Sequence, residues 1–143
     1  MPMPSFQTEA QILAIVDGFE SCTTEKGAFK HSDHLTVAVV FLQNLTVTQA
    51  IDRMRRALHR YIAHHQIDKQ KYNETLTVFW FEVVADALAR LGEATLVTRC
   101  NFILDTFTNS ALALEYYSND LLFSEAARES FVKPDLKEWK RSN

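Results

Sequence analysis

"HSDHLTVAVVFLQN", residues 31–44, decides the fold. Its interior, "LTVAVVFL", is apolar on nearly every side and must be buried in any fold. Valine and phenylalanine favour strands, which makes the run a candidate buried strand. A helix carries apolar residues all round only when other elements surround it. The length of the stretch, and helical patterns on both sides of it, favour the helix. It is expected to run from about His31 to Asn44 as a central element of an all-α protein.

Working outward, Phe6, Ile12, Ile15, Val16 and Phe19 recur at helical spacing and predict a first helix over about 6–21. After "NLT", Thr46 and Gln49 fit a capping box, so a third helix is expected over about 46–65. Asn73 is a natural N-cap for "ETLTVFWFEVVADALARL", which Gly92 closes. This fourth helix, about 73–91, is again apolar nearly all round. A fifth is expected over about 93–107, then short pieces over about 110–116, 118–123 and 124–132, the last two capped by Ser118 and Ser124. Pro134 is expected to end the ordered core of about 5–133, leaving 134–143 as a tail. The resulting expectation is one domain over 1–143. It is an irregular bundle of five to six helices, with 31–44 and 73–91 central.

Composition agrees. Glycine and proline occur three times each, too few for a many-stranded β fold. Hydrophobic residues make up 47% of the 143, enough for one sizeable core. The net charge of −3 argues against a nucleic-acid partner, and "RMRR" at 53–56 belongs to a helix face. No apolar run reaches the ~18 residues of a membrane span. The N-terminus lacks the pattern of a signal peptide, and Cys22 and Cys100 have no partners at metal-like spacing. A cytoplasmic protein with reduced thiols is expected, with no membrane partner.

Short connections make successive helices antiparallel. Helices two and four then begin at the same end, where helix three finishes. That end collects His31, His34, Lys71, Tyr72, Asn73 and Glu74, with His64 and His65. Residues three apart on a helix share a face. His31 and His34 could therefore hold a divalent metal such as zinc, iron or manganese with Glu74 as an oxygen ligand. Alternatively, the same three are expected as catalytic groups in metal-free acid–base chemistry, with Lys71, Tyr72 and Asn73 orienting a bound molecule. A structural role explains them too: Asn73 as a cap, Glu74 and Asp33 as helix-dipole partners, His34 as a satisfied core residue. His64 and His65 fit that plain reading best. Trp80 and its aromatic neighbours are expected in the core, with the option of walling a pocket. The overall expectation is a small-molecule-binding protein or small enzyme. The contrasting one is a non-catalytic interaction protein, with "FVKPDLKEW" and the aromatics serving a partner or a homodimer contact.

"FKHSDHLTVAVVFL", "KYNETLTVFW" and "YYSNDLLFSEAARESFVKPDL" resemble a family of small bacterial proteins of about this length. The resemblance runs from about Phe29 to Leu136. It matches a phenylalanine, two histidines and a leucine to Phe29, His31, His34 and Leu35, and a tyrosine, glutamate and threonine to Tyr72, Glu74 and Thr75. It implies that His31, His34 and Glu74 act together, and it supplies positions rather than an activity. Where it implies a third histidine this chain has Asn73, and a neutral amide is a poor ligand for zinc or iron.

Overall fold

The structure, a computed structural model, describes residues 4–142. Among these residues there is no strand. Five long helices and two short ones follow one another: α1 (Glu9–Glu20), α2 (His31–Asn44), α3 (Val47–His64), α4 (Glu74–Leu91), α5 (Leu96–Thr106), α6 (Asn119–Leu122) and α7 (Glu125–Glu129). Two short 3₁₀ turns, Lys69–Lys71 and Leu112–Glu115, sit between them.

The run that posed the question is helical. Residues 35–39 are all buried. Five consecutive side chains cannot share one helix face, so α2 has neighbours all round, and it packs on α1, α3, α4 and α5. Its buried Thr36 costs little, because the hydroxyl donates to the Ser32 carbonyl one turn back at 2.8 Å. The second central helix, α4, packs on α2, α3, α5 and α7.

The caps read from the sequence are in place. Thr46 Oγ1 accepts from the Gln49 amide at 3.2 Å, and Gln49 Oε1 accepts from the Thr46 amide at 3.0 Å. Ser118 and Ser124 cap α6 and α7. Gly92 ends α4 with φ of 82°, a left-handed value that only glycine adopts without strain. One boundary moves. The first helix begins at Glu9, behind a capping box of Thr8 and Gln11. Phe6 lies outside it, its backbone pinned in both directions by the Asn101 amide at 2.8 and 2.9 Å, and its ring is still buried.

The main core fills the space among α1 to α5. A second cluster, Phe79, Val83, Ala113, Tyr117 and Leu122, forms where the chain after α5 folds back over α4. The expected tail is indeed non-helical, but it is packed. The Asp135 carboxylate accepts from the Ser118 amide at 2.7 Å, and the Ser142 amide donates to Asp86 at 2.7 Å. Trp139 joins the second cluster. Within "FVKPDLKEW", then, Phe131 and Leu136 are exposed while the tryptophan is turned inward.

Candidate functional site

The first turn of α2 presents His31 and His34 on one side, as their spacing demands. The segment entering α4 brings Lys71, Tyr72 and Asn73 to the same place. All five line one cavity of about 370 Å³ between α2, α3 and α4. The shared end inferred from helix order is thus where these residues meet. Apart from Thr77 the rest of the wall is apolar and includes Phe29, Met54, Leu58, Ile62, Leu76 and Trp80. No Asp or Glu is among the lining residues.

The two histidines differ. His31 Nε2 lies 2.9 Å from the Phe107 carbonyl oxygen. A carbonyl can only accept, so Nε2 carries the proton and Nδ1 is left as the free ring atom. The His31 ring stands edge-on to Trp80, with centroids 5.0 Å apart. His34 packs against Phe29 at 4.3 Å. Neither of its ring nitrogens has a protein hydrogen-bond partner among the described residues. The residue is partly exposed, and it lines the cavity. Burial, helped by the neighbouring His31, pushes its pKa down to about 4. At neutral pH, His34 is therefore an uncharged imidazole with one donor and one acceptor.

Glu74 belongs to a different arrangement. Its carboxylate takes the Arg55 guanidinium as a fork, 2.8 Å from Nε and 2.7 Å from Nη2, and accepts the Tyr72 hydroxyl at 2.5 Å. The Arg55 bonds hold its carboxyl below the usual range against the opposing effect of burial. Burial and the bond to Glu74 push the Tyr72 phenol up. Glu74 lines a separate cleft with Arg55, His59 and Arg128, and is not a wall of the histidine cavity. The expected His31, His34 and Glu74 ligand set is therefore not assembled. Among the described residues, no group of three or more His, Cys, Asp or Glu side chains is placed to hold a metal ion. The reason is electrostatic: a buried carboxylate needs a cation partner, and Arg55 on α3 supplies it.

Asn73 is committed as well. Its Oδ1 caps α4 through the Leu76 amide at 3.0 Å, and its Nδ2 donates to the Leu122 carbonyl at 2.8 Å. Next to it, Thr75 Oγ1 donates to the carbonyls of Ala127 and Ser130 and accepts from the Val132 amide. The start of α4 is thus the anchor for the C-terminal segment. His64 and His65 end α3 with their rings 4.8 Å apart and do not line the cavity.

Arg55 escaped the sequence reading because it borders the apolar stripe of α3, among three other arginines. The Phe107 carbonyl carries no signal in the sequence at all. Trp80, expected in the core with the option of walling a pocket, does both: it packs against the two core clusters and lines the cavity. Comparison with protein-family models, with curated proteins and with solved structures finds no match to this chain.

Proposed function

We propose that this protein binds a small, largely apolar molecule in the cavity where α2 and α4 begin, and that His34 recognises its polar end. The observation that carries the reading is an uncharged imidazole with no protein partner, facing an apolar space. An imidazole that lines a cavity and has no protein partner is free to bond whatever the cavity takes, at about 0.5–1.5 kcal/mol per hydrogen bond. A bound molecule with one donor or acceptor at that point satisfies His34. The volume suits it, at the lower end of the ~300–1,000 Å³ of ligand pockets, as does the mixture of apolar walls with a few convergent polar groups.

Binding is favoured over acid–base catalysis by the lining itself. No carboxylate there shares a proton with either imidazole, and the carboxylate expected to do so is held by Arg55. The test is a fragment screen followed by nuclear magnetic resonance. Bound fragments are expected to shift the Trp80 indole and the His31 and His34 imidazoles together. A library that shifts other residues and leaves these three unmoved refutes the reading.

A further inference from the structure

The geometry points to an organic monoanion, a carboxylate carried on a small apolar body, as the class of molecule this cavity takes. The inference rests on the cavity being a binding site and adds the charge of its occupant.

Five acidic or basic side chains meet at this end of the bundle, and they are sorted by direction. The two carboxylates are turned to other partners. Asp33 accepts from the Lys30 amide at 2.9 Å, closing the start of α2, and Glu74 holds Arg55. What lines the cavity is Lys71, His31 and His34. Lys71 is exposed at the rim and makes no ion pair among the described residues. A cationic molecule would meet an ammonium and no compensating carboxylate, while an anionic one meets a free cation.

The helices add to this bias. α2 and α4 have 14 and 18 residues, and both begin at the cavity. The partial positive charge of a helix N-terminus favours an anion beside it. That alone would not make a site. Here it coincides with a cavity whose lining holds the exposed cation Lys71 and a partly exposed His34 without a protein partner, whose N–H can donate to a carboxylate oxygen. A hydrogen bond from N–H to an ionised acceptor is about twice as strong as a neutral one. Most of the rest of the wall is apolar, with Phe29, Trp80 and Phe81 among it, and calls for an apolar body. It also limits the charge. Desolvating a doubly charged phosphate ester among so few polar groups costs more than one lysine and one imidazole return. A single negative charge suits them.

Two head-group series test the class by calorimetry at neutral pH, with the Trp80 indole resonance reporting the place. One is hexanoate, hexanol and hexylamine; the other is phenylacetate, phenylethanol and phenylethylamine. The acids are expected to bind about tenfold or more tighter than the alcohols, and the amines weakest. Lys71→Gln, at an exposed position that the fold tolerates, is expected to remove several-fold of the acids' affinity and to leave the alcohols unchanged. His34→Phe keeps a ring in place and is expected to abolish most of the preference for acids. Amines or alcohols that shift Trp80 and bind as tightly as the acids overturn the monoanion class while the binding cavity stands. If no probe of either series moves the Trp80 indole, the binding reading falls, and this inference with it.

Discussion

At the scale of single residues, His34 is the informative group, because its environment makes its charge state a property of folding. Enclosure lowers its pKa from 6.5 to about 4. Over that interval the unfolded chain binds the proton and the folded one does not. Stability therefore rises with pH across it, and is lost as pH falls from about 6.5 towards 4. The full shift corresponds to at most roughly 3 kcal/mol, less whatever the cavity-facing edge of the ring recovers from solvent. Urea unfolding of the native protein and of His34→Phe, measured at several pH values in this window, checks it. The native protein is expected to lose stability faster on acidification. Parallel curves would mean that His34 titrates normally. The contrast with Glu74 is instructive. Both residues were legible in the sequence as polar groups at one end of the bundle. Direction was not legible, since it depends on a guanidinium from another helix in one case and on an enclosing wall in the other.

At the scale of elements, the decisive local signals were caps and apolar runs. Thr46 with Gln49, Asn73, Gly92, Ser118 and Ser124 mark helix ends by hydrogen bonds that close within a few residues, so sequence spacing suffices to find them. At the start of α1 the cap is just as local, Thr8 with Gln11, and it is the apolar spacing that misleads. Phe6 continues the apolar spacing, yet its backbone bonds to Asn101, a partner 95 positions away. The junction of α4 with the C-terminal segment is another element that spacing could not reveal. One hydroxyl, that of the fully buried Thr75, serves Ala127, Ser130 and Val132. Thr75→Val preserves shape and removes all three bonds, the buried one to the Ala127 carbonyl among them. The expected cost is about 1–3 kcal/mol. Hydrogen exchange is expected to accelerate selectively over 122–132, while α2 and α3 keep their protection. Uniform acceleration over the whole chain would contradict the anchoring role.

At the scale of the whole molecule, α2 and α4 organise two cores. The first lies among α1 to α5. The second is built on the outer face of α4, by the turn at 112–115, α6 and the non-helical chain that follows α7. The stretch after Pro134 contributes to this second core through Trp139, and through the bonds of Asp135 and Ser142. A chain ended after Lys133 is therefore expected to unfold at a temperature several degrees lower, since about 1–2 kcal/mol moves the midpoint of a domain this size by that much. Its histidine cavity, walled by α2, α3 and α4, is expected to keep its ligand affinity. An unchanged melting temperature would return the segment to the status of a loose tail.

The amino-acid sequence by itself determined that this chain is helical, where most helices start and stop, and that two of them are central. Those properties follow from period, capping chemistry and the number of apolar faces, all of which act within a few residues. It also determined, through the antiparallel order of short-linked helices, that His31 and His34 share an end with Lys71, Tyr72 and Asn73. Only the tertiary structure decided which of these groups face one another. Glu74 was drawn to Arg55 and Asn73 to Leu122, and His34 was left on the cavity wall without a protein partner. Burial and charge pairing act across space between residues far apart in the chain, and no spacing along the chain encodes the direction in which a side chain turns.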